Sequence, residues 1–276
     1  MPFPKAKKPA AGVWAVALLA AVPAAQADFS TIFTENWEAE TVGDNADQLT
    51  NWQYESDYGN GLSTDAEIMY SPGLGQFLSM NPPNPPPWGE DASMGIRTQS
   101  SFATALPGQI LSIKSKVALD QNDGGGAGTI GFSQANAALY GYGLAVSLVD
   151  KAGGGYNAVM EIFEFNGSLT GNGYGYEIVE VDPTDSSPAH TFELQAAAYQ
   201  DSIEFQVYYD DTLVPALNRT DATPVDFGDE VTFSLASNLG QLAYFDDFVA
   251  AEAPIPEPAS LTLLALGGLA VIRRRR

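Results

Sequence analysis

Two carboxylates, Glu161 and Glu164, lie three residues apart in the run Val159-Met160-Glu161-Ile162-Phe163-Glu164-Phe165. A pair of carboxyl groups cleaves a glycosidic bond when the two flank it, about 5 Å apart for retention and further apart for inversion. On a β-strand only residues two or four apart share a face, so a spacing of three sends these two groups to opposite sides. The pair therefore does not read as hydrolytic. His190 is the only histidine and there is no cysteine. Any Ser-His-Asp arrangement must pass through His190, and no Gly-x-Ser-x-Gly elbow accompanies it. Thiol catalysis and zinc–thiolate sites are excluded, and a lone histidine gives transition-metal chemistry poor support. At the head of an alternating run, just after the Pro183 and Pro188 turn, His190 reads as a hydrogen-bonded structural residue.

Binding chemistry has more candidates. Sugars are held by aromatic faces with a few polar groups that reach their hydroxyls. Trp88, Tyr58, Tyr70, Tyr174 and Tyr176 stand in segments that read as loops, and Trp88, Tyr174 and Tyr176 are the leading ligand-binding candidates. Trp37 and Trp52 read as core, and Tyr140-Gly141-Tyr142 reads equally as a core-facing strand pair. Asp120-Gln121-Asn122-Asp123-Gly124 is an acidic turn, but it lacks the length and terminal glutamate of an EF-hand loop. The glycine clusters at 124–128, 153–155 and 171–175 open no helix, so none reads as a phosphate-binding loop.

Charge narrows the partners. The chain has 34 acidic and 12 basic residues, and seven of the basic ones sit at its ends: Lys5, Lys7, Lys8 and Arg273, Arg274, Arg275, Arg276. The body, 28–253, keeps only Arg97, Lys114, Lys116, Lys151 and Arg219 against 33 acids, a formal charge of −28. Nucleic acid is excluded as a partner, because phosphate recognition needs clustered Lys and Arg. Divalent cations or a saline medium suit such a surface, and solubility alone also accounts for it.

The elements that must position these residues are strands. Ile203-Glu204-Phe205-Gln206-Val207-Tyr208-Tyr209 alternates apolar and polar side chains and stops at Asp210-Asp211; Val231-Thr232-Phe233-Ser234-Leu235 alternates likewise. Many such runs between polar turns, with almost no helical periodicity, predict one antiparallel β-sandwich over 28–253, an all-β jelly roll. Asn81-Pro82-Pro83-Asn84-Pro85-Pro86-Pro87-Trp88 is too proline-rich for a central strand and reads as a stiff surface excursion.

Both ends read as processing segments. Lys5, Lys7 and Lys8 precede an apolar run over 10–21, and Ala25-Gln26-Ala27 supplies small residues at the two positions a signal peptidase reads. This predicts a signal helix in 1–27, cleavage after Ala27 and a mature chain beginning at Asp28. At the other end, Pro254-Ile255-Pro256-Glu257-Pro258 leads into fourteen apolar or small residues, 259–272, and then four arginines. Such a helix reaches about 20 Å against a hydrocarbon core of about 30 Å, which is marginal for a permanent anchor. Terminal arginines hold its end at the cytoplasmic face.

The layout of 254–276 resembles the PEP-CTERM sorting signal: Pro256, Glu257 and Pro258 match the recognition tripeptide, 259–272 the transmembrane helix, and the arginines the tail. The resemblance implies processing by an exosortase, transient membrane contact through 259–272, and a place in the envelope or outside a bacterium with an outer membrane that produces exopolysaccharide. Glu35-Asn36-Trp37-Glu38-Ala39-Glu40 and Ala243-Tyr244-Phe245-Asp246-Asp247-Phe248-Val249 resemble the opening and closing strands of concanavalin A-like, laminin-G-like and carbohydrate-binding-module jelly rolls. The hairpin from His190 to Asp211 also resembles the central one of laminin-G-like domains. The likeness implies polysaccharide binding. It also implies a structural Ca2+ joining first and last strands through Glu38 and Asp247, with Asp246 and Glu40 nearby. The expectation is thus a non-catalytic, exported binding domain; the alternatives are a purely structural acidic matrix protein and a glycan hydrolase or lyase.

Overall fold

Side chains that alternate across each strand give this chain two sheets around a shared core. The computed structural model describes residues 28–55, 66–72, 75–81, 93–103, 107–119, 127–135, 137–150, 156–166, 172–180, 189–224, 230–238 and 242–255. Its strands are β1 (Ser30–Glu35), β2 (Trp52–Glu55), β3 (Ala66–Ser71), β4 (Gly75–Met80), β5 (Ser93–Thr98), β6 (Phe102–Ala103) and β7 (Gln109–Leu119). There follow β8 (Ala127–Gln134), β9 (Ala137–Asp150), β10 (Tyr156–Asn166), β11 (Asn172–Glu180), β12 (Ala189–Ala198) and β13 (Ile203–Tyr209). The last are β14 (Thr212–Leu213), β15 (Arg219–Asp221), β16 (Glu230–Asn238) and β17 (Ala243–Pro254).

The first sheet runs β14-β13-β12-β7-β17-β4-β3, with β1 beside β17 and β15 beside β13. The second runs β11-β10-β9-β8-β16-β5-β2, with β6 beside β16. Every pairing described is antiparallel, so the predicted all-β sandwich is what the chain builds. The compact unit spans Asp28–Ile255, two residues beyond the sequence-derived boundary, because β17 runs to Pro254 and the Ile255 N–H donates to the Gly108 carbonyl at 3.0 Å. The predicted signal segment with Ala25 and Ala27, and Pro256, Glu257 and Pro258 with the apolar run after them, lie outside the described residues. Among the described residues no helix is long and apolar enough to cross a membrane.

Inward side chains from both sheets form one core: Leu111, Ile113, Leu194, Phe205 and Phe245 from the first, Ile130, Tyr142, Leu144, Ile162 and Phe233 from the second. Each fully buried Phe or Leu contributes about 1.5–3 kcal/mol by leaving water. At one end the rings of Phe33, Trp52, Phe233 and Phe248 pack with centroids 5.5–6.3 Å apart. Trp37 and Trp52 are both fully buried, as the sequence suggested. Trp37 adopts a left-handed backbone, φ 62°, a conformation that costs a bulky residue about 1–3 kcal/mol. Its backbone N–H donates to Glu35 Oε1 at 3.1 Å, and that buried carboxylate also accepts from Asn51 Nδ2 at 3.0 Å. These bonds tie the turn after β1 to the approach to β2.

β17 organises the first sheet. One edge pairs with β7; the other pairs with β4 through Ala243, Tyr244 and Phe245, and with β1 through its later residues. Asp246 faces Lys116 and Val249 faces Lys114, so β17 carries one extra residue there, a bulge with Asp247 at φ 47°. The extra residue flips the alternation, and both Phe245 and Phe248 point into the core at 0 % exposure.

Candidate functional site

The structure separates the aromatic candidates. Tyr70 is exposed on β3, at one end of the first sheet; Tyr174 and Tyr176 belong to β11, at the end of the second. Trp88 and Tyr58 lie outside the described residues, as does the acidic turn at 120–124. Tyr142 is core, whereas Tyr140 is 40 % exposed.

The outer face of the second sheet holds an arrangement that sequence reasoning missed. Core positions alternate with small ones on β8 and β9, where Ile130, Phe132, Tyr142 and Leu144 point inward. The residues between them, Thr129, Gly131, Ser133, Gly141 and Gly143, take the opposite face. Register places Arg97, Ser234, Gly131, Gly143 and Phe163 in one row across five strands. The adjacent row is Ala236, Thr129, Ala145 and Glu161, with Tyr176 opposite Glu161 on β11. A strip of Gly, Ala, Ser and Thr thus lies between an aromatic wall and a charged one.

The aromatic wall is Phe163 against Phe165, edge to face with centroids 4.6 Å apart. The charged wall is Arg97 with Glu55, Nε to Oε2 at 3.0 Å, and Arg97 Nη1 also reaches the Ala135 carbonyl at 3.5 Å. The floor is withdrawn from water: Ser133 is 0 %, Thr129 2 %, Ser234 2 % and Thr232 4 % exposed. Ser133 and Thr232 share a hydroxyl–hydroxyl bond at 3.2 Å, while the buried Thr129 Oγ1 has no hydrogen-bond partner. The half-buried residues of this face are Arg97, Ala145, Ser147, Glu161 and Phe163. The signal that could have found it is the period-two alternation of small with large residues in 127–134 and 140–146.

Glu161 and Glu164 fall on opposite faces, as their spacing required. β10 pairs regularly with β9 from Tyr156 to Asn166, so Glu161 shares the outer face with Phe163, while Glu164 shares the inner side with Met160 and Ile162 and is buried. His190, at the start of β12, has Nδ1 2.9 Å from Asp210 Oδ2 and 2.9 Å from the Tyr209 hydroxyl, with its ring stacked on Tyr209. Its place is between the two strands of a hairpin.

Asp246 and Asp247 adjoin on the β17 bulge, while Glu38, just after β1, is bound to Gln76 of β4. Gln76 N–H donates to Glu38 Oε1 at 3.2 Å, and Gln76 Nε2 lies 3.5 Å from Oε2. Asp247 N–H donates to Asp246 Oδ1 at 2.7 Å, and the Lys116 ammonium is bound to Asp247 Oδ2. Burial pushes the Asp246 carboxyl above its ordinary range, with Asp247 and Glu38 adding to the rise and the Asp247 N–H and Lys116 opposing it. Glu40 is taken up elsewhere, accepting from Thr50 N–H at 2.9 Å. Calcium wants six to eight oxygen ligands, mostly carboxylate and carbonyl. Among the described residues no three carboxylate or imidazole groups gather to hold a metal, and an ammonium already neutralises Asp247. As arranged, these side chains do not fit a calcium cradle.

Comparison with known proteins gives two kinds of finding. Residues 254–276 match the PEP-CTERM protein-sorting motif. No curated protein sequence matches the chain. Among solved structures, the chain is similar to the carbohydrate-binding module CBM66 from Bacillus subtilis, at 18 % identity and a TM-score of 0.44, over 72 % of this chain and 94 % of that one. It is similar to the Emp46p carbohydrate recognition domain at 11 % identity and a TM-score of 0.48, over 81 % and 97 %. It is also similar to alginate lyase Aly36B in complex with alginate trisaccharide, at 14 % identity and a TM-score of 0.47, over 83 % and 100 %. At such identities the likeness is one of fold.

Proposed function

Starting from a chain whose end is a PEP-CTERM sorting motif, we propose an exported, surface-associated bacterial protein, processed by an exosortase, whose β-sandwich binds polysaccharide without cleaving it. The observation that carries the binding is the outer face of the second sheet, with its strip of small residues between Phe163 and the Arg97–Glu55 pair. On this face the Phe163 ring lies over Gly143 with Phe165 against it, and Arg97, Ser147 and Glu161 are half-buried polar groups of the same face. An aromatic ring beside polar groups offers the two contacts sugars use. Tyr176 is paired with Glu161 in the β10–β11 ladder, and Tyr174, Tyr176 and Trp88 remain the ligand-binding candidates of the sequence. Arg97 is the one cation placed on this face among the described residues, and Glu55 neutralises it. With −28 on the body, the face suits a neutral glycan better than a polyuronate.

The test is affinity electrophoresis of Asp28–Ile255 through gels containing a neutral β-glucan or a polyuronate, at about 10 mM and about 0.5 M salt, where the screening length falls from roughly 30 Å to a few ångströms. The expected result is retardation by the neutral polymer at both salts, lost in Phe163→Ala with circular dichroism unchanged. No retardation by any polymer would leave the acidic matrix role as the better reading. Release of reducing ends or unsaturated sugars, abolished by Glu161→Gln, would make it an enzyme instead.

A further inference from the structure

On the reading that an exosortase cuts this chain near Pro256, Glu257 and Pro258, we infer that Ala253, Pro254 and Ile255 serve two partners in turn. In the folded body they belong to β7; for cleavage the enzyme must take them, so processing waits on the fraying of this end of β17. No residue separates the sheet from the sorting motif. The Ile255 N–H still donates to the Gly108 carbonyl at 3.0 Å, and the next three residues are Pro256, Glu257 and Pro258. An enzyme that takes a peptide in extended form bonds to the backbone N–H and C=O groups of the residues it holds. Immediately upstream of the tripeptide those groups lie in the β7–β17 ladder.

Register shows how this end is held. Ala253 faces Ile110 and Pro254 faces Gln109. Bonded and non-bonded pairs alternate along an antiparallel ladder. With Ile255 bonded to Gly108, Pro254 and Gln109 form a non-bonded pair, where the missing N–H of proline costs no ladder bond. Gly108 is itself fixed: its backbone is left-handed, φ 107°, and its N–H donates to the Ala198 carbonyl at 2.7 Å. On the other edge of β17, the pairing with β1 ends at Glu252 opposite Ser30. Among the described residues, 253–255 are therefore paired from the β7 side alone. A strand end held from one side opens locally more often than the core, and each backbone bond shifts that opening by about 2–12-fold.

The test is a pulse-chase of the full chain in a bacterium that processes its own PEP-CTERM proteins, following precursor and cut forms. A Gly-Ser-Gly-Ser spacer inserted between Ile255 and Pro256 supplies free backbone, so that variant should be cut about 2–12-fold faster than the wild type. Gln109→Cys with Pro254→Cys places a disulfide across the non-bonded pair, in a chain that has no other cysteine. The bridged form should be cut more slowly than the wild type by about the same factor, each single substitution should match the wild type, and the spacer should restore the bridged form. The spacer leaves the sequence of the body unchanged, so it decides the matter even if the bridged form fails to fold. Equal rates for the wild type and the spacer variant overturn the inference and leave exosortase processing standing. No cutting of any form, while the host cuts its own proteins, overturns both.

Discussion

Placing a methyl group on Gly143 should tilt the Phe163 ring away from the small-residue strip, and the size of that effect follows from one distance. A Cβ at Gly143 would stand 2.7 Å from Phe163 Cζ and 3.3 Å from the Ile130 carbonyl oxygen. Optimal carbon–carbon contact is about 3.5–4.0 Å, so the ring must move by roughly 1 Å. It cannot do so freely, since Phe165 packs edge-on at 4.6 Å. Overpacking of this kind costs about 1–3 kcal/mol, which in a domain of this size is a fall of roughly 2–12 °C in Tm. The measurement is a double-mutant cycle by urea denaturation with Gly143→Ala, Phe163→Ala and both. Once the ring is gone the methyl has space, so the double variant should lie about 1–2 kcal/mol above the sum of the singles. Strict additivity within about 0.3 kcal/mol would show that Phe163 does not lie over Gly143, and the proposed wall of the strip would fall with it.

Two other perturbations probe the scaffold. Tyr142→Phe removes the hydroxyl that donates to the buried Asp221 Oδ2 at 2.5 Å, and should cost about 1–3 kcal/mol in urea melts because the carboxylate stays buried and loses a donor; a loss below about 0.5 kcal/mol would contradict that bond. Asp246→Asn should raise stability at neutral pH. The folded protein holds the Asp246 proton more tightly than the unfolded chain does, so ionisation opposes folding above the raised value, and the opposition fades as pH falls through it toward the ordinary carboxylate range. The Tm advantage of Asp246→Asn should therefore shrink on acidification, and an advantage that grows toward acid would refute the sign.

Much of the architecture was legible from alternation alone. Ile203 to Tyr209 and Val231 to Leu235 are strands with their odd-numbered residues in the core, because side-chain direction in an extended chain has a period of two whatever the partner strand is. The same local rule put Glu161 and Glu164 on opposite faces before any fold was known, and the register of β10 with β9 keeps them there. The sorting segment was legible for a similar reason: its tripeptide, apolar run and arginines act in order along the chain and need no tertiary context.

What the sequence could not supply was which of its faces meet. Tyr70 and Tyr176 look alike as loop aromatics, yet one belongs to the edge of the first sheet and the other to the edge of the second. Glu38 and Asp247 were expected to share a cation, but Glu38 is bound to Gln76 and Asp247 to the Lys116 ammonium on β7, which is 131 positions away. Arg97 and Glu55 come together only because β2 and β5 are neighbours in one register. Alternation is dictated by the geometry of single residues and so is written in the sequence by itself. Register, the bulge at Asp247 and the pairing of distant charges are decided by which packing buries Trp37, Trp52, Phe245 and Phe248 together, and that choice exists only once both sheets have closed on their core.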